Sequence, residues 1–365
     1  MAILGRPQNH PHKKGPSQQN SMTKPIGYRD AGVDIDAATR ATEKIKELAR
    51  QTFNDRTLSE IGSFGGMFDA SFSELRHPVL VASADGIGTK LKIAFLAGIH
   101  NTVGRDLVNH CVNDILVQGA RPLFFLDYFA TGKLSTEVVA SVIEGLVAGC
   151  RENGCVLLGG ETAEMPGFYL AGEYDVAGFI VGVVDREKVI DGKQILPGDR
   201  LLALPSVGLH TNGYSLARKL FFEIAGYDVN SRIEELGSTI GETLLQPHIS
   251  YFQPLADLLD KGLIKGLAHI TGGGLTDNIP RILPEGTAVT IKKNSWPILP
   301  VFELLQRIGN VSEAEMYRTF NMGVGMVIVC SERDVLQVSE HLPTCGSTVY
   351  EIGLVTSGRQ EVIFE

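Results

Sequence analysis

At 365 residues, 44% hydrophobic and 21% charged, the chain can bury a large core and is expected to form two domains of an ordinary globular kind. Its 33 Lys and Arg against 42 Asp and Glu leave a net charge of −9, which excludes the basic surface of a nucleic-acid binder. No run is long and apolar enough to cross a membrane, no signal peptide opens the chain and no CxxC pair occurs among its five cysteines, which speaks against membrane, secreted and thioredoxin-type or Cys-zinc classes and for a reducing cytoplasm.

Residues 1–24 are polar, with Pro, Gln, Asn, His and Lys, and read as a disordered leader. His10 and His12 within it are expected to be solvated. Tyr28 to Asp36 carries three carboxylates, Asp30, Asp34 and Asp36. Three acids so close could serve a metal, but spacing alone favours one helix cap and two solvated acids; the helix starts near Asp36, and Ile45, Leu48, Ala49 and Thr52 then recur at helical spacing. Residues 62–68 form a Gly-rich loop that either cradles a ligand or joins two elements. No GxxxxGK[ST] run occurs anywhere, so any use of ATP needs a phosphate grip other than a P-loop.

The apolar, β-prone run 79–82 reads as a buried strand that stops at Asp85-Gly86-Ile87-Gly88-Thr89-Lys90. Strand ends of open α/β sheets bind ligands, Gly86 and Gly88 permit close backbone approach, and Lys90 is a point charge suited to phosphate. An ordinary Gly turn with a solvated Asp and Lys fits the stretch equally well. Residues 104–118 read as a helix ended by Gly119. Leu107, Cys111, Ile115 and Leu116 form its apolar stripe; Asp106, His110, Asn113 and Asp114 lie on another face, which spacing alone makes a solvated one.

A strand over 123–126, a helix over 135–153 capped by Ser135 and ended by Gly154, and a strand over 155–158 follow. The last breaks at Gly159-Gly160, behind which Glu161 repeats the placement of Asp85; two such acids suggest convergence on one cation. The apolar strand 174–184 should close the first domain, 25–190, and the polar stretch 185–199 with Asp191-Gly192 and Pro197-Gly198 marks the boundary to the second, 191–365. The second domain opens with strand 201–204, loop 206–213 and helix 214–225, an arrangement of strand, Gly loop and helix N-terminus that suits an anion. It recurs where 268–270 leads through Thr271-Gly272-Gly273-Gly274 into a helix over 276–281. Phosphate binding and plain turn chemistry are balanced for either loop alone. His269 reads as a packed histidine. Residues 319–329 run from a Gly loop into a buried strand, and strands near 348–355 and 361–364 complete a mixed sheet.

Taken together, YRDAGVDIDA, ASADGIGTKLK, CVNDILVQGARPLFFLDYFATGKL, GGETAEMPG, YDVAGFIVGVV, GLHTNGYSLARK, HITGGGLTDNIPRILP and MYRTFNMGVGM resemble, in this order, the AIR synthetase (phosphoribosylformylglycinamidine cyclo-ligase) family from Tyr28 to the C-terminus. The resemblance implies an α+β N-terminal domain whose sheet joins that of a second copy in a barrel, a C-terminal α/β domain, and a homodimer. It implies ring closure of formylglycinamidine ribonucleotide to 5-aminoimidazole ribonucleotide in purine biosynthesis, with ATP split to ADP and phosphate and Mg²⁺ as cofactor. Carried over residue by residue, Asp85, Asp114 and Glu161 become metal and phosphate acids. Gly86, Gly88, Thr89 and Lys90 become ATP contacts, with Lys90 neutralising the phosphoryl group and Asn113 orienting it. His210, Thr211, Asn212 and Gly213 become substrate contacts, and Thr271, Gly272, Gly273 and Gly274 a phosphate loop. His110 stays structural and Asp106 open.

Sister enzymes fit less well. A selenophosphate synthetase would carry a reactive Cys in its N-terminal Gly-rich segment, and residues 1–110 hold none. A hydrogenase maturation factor would end in Cys, whereas this chain ends Val-Ile-Phe-Glu. A catalytically dead scaffold of the same fold would have lost acids that are present here.

Overall fold

The structure is a computed structural model that describes Tyr28, Gly32 and residues 35–365. The leader, His10, His12, Asp30 and Asp34 lie outside the described residues. Helix α1 (Ile35–Ala49) begins with Asp36 in its first turn and runs into a 3-10 turn that includes Thr52. The first sheet is built of β1 (Pro78–Gly86), β2 (Arg121–Thr131), β3 (Val156–Glu164) and β4 (Tyr174–Asp185), in the order β1-β4-β2-β3. Only β2 and β3 pair in parallel, so the sheet is mixed as expected.

β1, β2 and β3 are longer than the apolar runs that signalled them. β1 continues to Gly86, because its pairing with β4 holds through Gly86↔Ala177. Asp85 therefore sits at the strand end, as expected, but as a paired residue of the strand and not the first of the loop. β3 likewise runs through Gly159-Gly160 to Glu164. Gly160 marks close approach here, not a turn: a Cβ on it would lie 2.3 Å from Oδ1 of Asp127. β4 is the last strand of this sheet in the chain, as expected, and lies in its interior between β1 and β2.

Helix α2 (Leu91–Ala97) leads into α3 (Asn101–Leu116), and α4 (Thr136–Asn153) joins β2 to β3. Ser135 caps α4 by accepting a hydrogen bond from the Val138 N–H, and Gly154 ends it in the left-handed conformation, as the sequence predicts. Helices α3 and α4 cover one face of the sheet. The other face is open and apolar: Leu80, Phe179 and Tyr128 project from it, 63%, 44% and 37% exposed.

The second sheet holds β5 (Arg200–Pro205), β8 (Gly266–His269), β9 (Thr287–Ile291), β10 (Val324–Cys330), β11 (Tyr350–Ser357) and β12 (Val362–Phe364), in the order β12-β9-β11-β5-β10-β8. Every residue of β9 and β10 is buried, the pattern of strands covered on both faces. A two-strand ribbon, β6 (Arg232–Ile233) with β7 (Ser238–Thr239), precedes α6 (Ile240–Leu244) and α7 (Phe252–Asp260). Helix α5 (Tyr214–Arg218) continues as a π-helical turn to Ile224. α8 (Gly274–Asn278), α9 (Pro300–Gly309), α10 (Glu313–Thr319) and α11 (Val335–Thr344) complete the unit. The C-terminal Leu116 of α3 is buried in one cluster with Leu202, Tyr251 and Leu255 of this unit, so apolar packing joins the two sheets' layers.

Candidate functional site

The polar face of α3 is the seam between the two units, and this overturns the expectation of a solvated face. Asp106, Asn109, His110 and Asn113 are all buried. A buried polar group needs a partner, and the segment 246–251 supplies most of them. Asp106 Oδ1 accepts from the His248 N–H at 2.6 Å. Asn109 donates to the His248 carbonyl at 2.8 Å. Asn113 donates to the Ile249 carbonyl at 2.8 Å and accepts from the Tyr251 N–H at 3.0 Å. Asn113 is thereby an anchor of the seam and has no amide face left to orient a phosphoryl group.

Lys90 also departs from its expected role as a free charge for phosphate. It is fully buried, with Nζ 2.8 Å from Oδ2 of Asp106, 3.0 Å from the His210 carbonyl and 2.9 Å from the Gln246 carbonyl. The two carbonyls each take one donor of the ammonium, and its charge is paired with the Asp106 carboxylate. Burial pushes the Lys90 ammonium down and the Asp106 carboxyl up, and their mutual attraction opposes both shifts.

At the open end of the seam lie the carboxylates of Asp85 and Asp114, with side chains 41% and 29% exposed. Asp85 accepts from its neighbour Gly86 N–H at 2.7 Å, and its other oxygen is 2.6 Å from His110 Nε2. Asp114 accepts from the Ser83 hydroxyl at 3.1 Å and lies 2.9 Å from His269 Nδ1. Partial burial works to raise both acids, but the imidazoles and hydrogen bonds outweigh it and hold both below the usual carboxylate range.

Glu161 does not join them. The register sets Asp85 in one row with Gly178, Asp127 and Gly160, on the helix-covered face. Glu161 is in the next row, with Tyr128 and Ala177, on the open face. Strand spacing puts it three strands, roughly 14 Å, from Asp85. Within one protomer the two acids cannot share a cation. The acid that Glu161 does influence is Asp127, whose carboxyl is raised to about 7, first by burial and then by the Glu161 charge.

The second unit brings both of its Gly loops to the same seam. Thr211 Oγ1 is 2.6 Å from His110 Nδ1, and Thr89 Oγ1 is 3.2 Å from Ser215 Oγ. Asn212 Oδ1 stands beside exposed Gly272 of the Thr271–Gly272–Gly273–Gly274 loop. Gly213 starts α5 at φ 81°, where a Cβ would strike the Phe320 ring, so only glycine fits. His210 precedes it in the left-handed region at φ 60°, unusual for a non-glycine residue. Its ring is 1% exposed and stacks on His248 with centroids 4.0 Å apart. Burial holds the His210 ring well below its ordinary pKa, so it is neutral and walled in, not presented to a ligand as the sequence suggested.

His248 was not singled out by the sequence, since it sits between α6 and α7 in a segment with no periodicity. His110, expected at the surface, is buried, and His269 is packed as predicted. These rings, with His210, form one cluster with neighbouring centroids 4.0–5.3 Å apart.

Two family models match the chain, the N-terminal domain of AIR synthase related proteins over residues 69–184 and their C-terminal domain over residues 197–365. The phosphoribosylformylglycinamidine cyclo-ligase of Syntrophotalea carbinolica is 51% identical over 345 residues, covering 94% of this chain and 97% of its own. That of Citrifermentans bemidjiense is 52% identical over 330 residues, 90% and 95% of the two chains. Among solved structures, a hydrogenase maturation protein HypE in complex with ATP superposes with TM-score 0.65 at 18% identity, covering 92% of this chain and 93% of its own. A thiamine-monophosphate kinase from Stenotrophomonas maltophilia does so with TM-score 0.63 at 15% identity, covering 89% and 96%. Those two show the fold alone; the curated relatives and the two domain models show that the chain belongs to the phosphoribosylformylglycinamidine cyclo-ligase (AIR synthetase) family, enzymes of the ligase class in purine biosynthesis.

Proposed function

We propose that the chain closes formylglycinamidine ribonucleotide to 5-aminoimidazole ribonucleotide at the seam, using ATP. The observation that carries this reading is the meeting of two half-exposed carboxylates, Asp85 and Asp114, with the Gly loops 206–213 and 271–274 of the other unit. The formamide oxygen of the substrate attacks the γ-phosphorus of ATP; an O–P bond forms and ADP leaves. The amidine nitrogen then attacks the activated carbon. A C–N bond forms, the C–O bond breaks and phosphate departs, with loss of a proton from nitrogen.

Asp85 and Asp114 fit Mg²⁺, which takes one or two carboxylates beside phosphate oxygens, and both keep exposed oxygen where their neighbours are buried. Bound there, Mg²⁺ would neutralise triphosphate charge. Gly86, Gly88 and Thr89 offer backbone and hydroxyl groups beside Asp85, and Gly88 and Thr89 are exposed. Thr271, Gly272 and Gly273 present the phosphate loop, with Asn212 beside it. Lys90, Asn113 and His210 support these groups from behind. Steady-state assays should show ADP release that depends on formylglycinamidine ribonucleotide and matches product one to one; ADP release indifferent to that substrate would overturn the reading.

The same reading divides the chain at residues 190/191 and places it in the cytoplasm, where its cysteines, free and mostly buried, are stable. It also makes the protein a homodimer. The support is the open apolar face of the first sheet, where Leu80, Phe179 and Tyr128 are exposed. Phe179→Asp places a charge in the middle of that face and should convert a sedimenting dimer to a monomer. A wild-type protein that sediments as an active monomer would defeat the assignment.

A further inference from the structure

The histidine cluster poses a hydrogen-bond problem. Asn113 is fixed by its partners: its Nδ2 donates to the Ile249 carbonyl and its oxygen accepts from the Tyr251 N–H. The second hydrogen on Nδ2 faces His248 Nε2 at 3.2 Å, which makes that nitrogen an acceptor. His269 Nε2 lies 3.0 Å from the same nitrogen; taken as the donor, it shares the one lone pair of His248 Nε2 with Asn113. A neutral imidazole has one N–H, and His269 has spent it. Its Nδ1 is then a bare lone pair facing Asp114 Oδ1 at 2.9 Å, one acceptor against another. Either a second proton on His269 or a cation between the two groups resolves the conflict.

The surroundings favour a cation. His110 Nε2, which faces Asp85 Oδ2 at 2.6 Å and would turn from it to bind an ion, also lies 4.0 Å from the second Asp114 oxygen, Oδ2, and one ligand atom from each of His110, Asp114 and His269 lies within 4.8 Å of the others. In a tetrahedral site with bonds of about 2.1 Å, ligand atoms stand roughly 3.4 Å apart. The observed 2.9 and 4.0 Å lie on either side of that separation. Each ring is also held from its far nitrogen, His110 by Thr211 Oγ1 at 2.6 Å and His269 by His248 at 3.0 Å. Such outer contacts fix the tautomer and aim of metal-binding histidines. Two imidazoles and one carboxylate suit Zn²⁺, Fe²⁺, Ni²⁺ or Cu²⁺ and not Mg²⁺, which prefers oxygen.

We propose that His110, His269 and Asp114 form a site for a first-row transition dication of the Zn²⁺ class, distinct in ligand chemistry from the carboxylate site for Mg²⁺. Because Asp114 belongs to both, occupancy by such an ion withdraws it from the ATP site. That consequence rests on the functional reading above; binding of the ion does not.

The test therefore omits nucleotide and substrate. The full chain, stripped of metal, is titrated with Zn²⁺ against a chromophoric chelator, and with Co²⁺ while visible d–d bands are followed. One equivalent of Zn²⁺ per chain is expected, with affinity reduced at least tenfold in His110→Gln and in His269→Gln and the Co²⁺ bands altered in both. Thermal melts run alongside. If the ring variants do not fold, Asp114→Asn, nearly isosteric, decides by the same readout. Absence of stoichiometric binding overturns the proposal and leaves a doubly protonated His269 as the answer to the network. So does wild-type affinity in the folded variants, which would move the ion elsewhere, as to the exposed pair His341 and Cys345, 3.5 Å apart.

Discussion

Asp85→Asn is expected to lower kcat about a hundredfold or more, since ~2.7 kcal/mol of transition-state stabilisation corresponds to two decades in rate. A carboxylate that helps to hold Mg²⁺ against a triphosphate supplies an energy of that order. Stability should change little, and the contacts say why. The amide oxygen of Asn can still accept from the Gly86 N–H, and its NH₂ can turn to His110 Nε2. His110 needs only to place its one proton on Nδ1, toward Thr211 Oγ1 at 2.6 Å. No buried group is orphaned, so the large penalty of an unmet partner does not arise. Excess Mg²⁺ should recover part of the rate if the loss lies in metal affinity. ADP release with formylglycinamidine ribonucleotide, measured beside a thermal melt, is the check. Near-normal turnover in a folded variant would take Asp85 out of the metal site and leave Asp114 to carry it.

What the sequence made legible was whatever local chemistry determines. The caps of α4 at Ser135 and Gly154 are set by side chains a few residues apart, and both were readable. Gly86, Gly159 and Gly160 were read as stops because glycine usually punctuates; only the partner strands reveal that pairing continues through them. The same limit applies to the site. The spacing of Asp106, His110, Asn113 and Asp114 showed that they share a face of α3, and the family match assigned chemistry to Asp114. Neither could show what that face meets. The segment 246–251 that covers it is more than 130 residues away in sequence, and its contacts alone turn Asn113 into an anchor and His110 into a buried ring. Glu161 failed for a related reason. Its placement behind paired glycines copies that of Asp85, but side chains alternate along a strand, and one step in register carries it to the opposite face.

Lys90 separates the two kinds of reading most sharply. A lysine that serves phosphate should, when replaced, cost turnover and leave the melt alone. The structure predicts the reverse order of effects. Lys90→Ala removes the cation paired with buried Asp106 and strips the His210 and Gln246 carbonyls of a donor. Breaking a buried ion pair from one side costs about 3–5 kcal/mol, because the remaining charge is left unpaired. For a chain of two domains of this size that is a fall in melting temperature on the order of 10 °C. Turnover should fall as a consequence, since the His210 carbonyl ties loop 206–213 to the strand that bears Asp85. The double variant Lys90→Met/Asp106→Asn removes both charges at nearly constant volume and keeps an acceptor for the His248 N–H. It should regain part of the lost melting temperature, because the unpaired buried charge is gone while the His210 and Gln246 carbonyls still lack the ammonium. A single variant that melts with the wild type but no longer releases ADP would return Lys90 to the phosphate. It would also mean that the buried position described here opens when ATP binds.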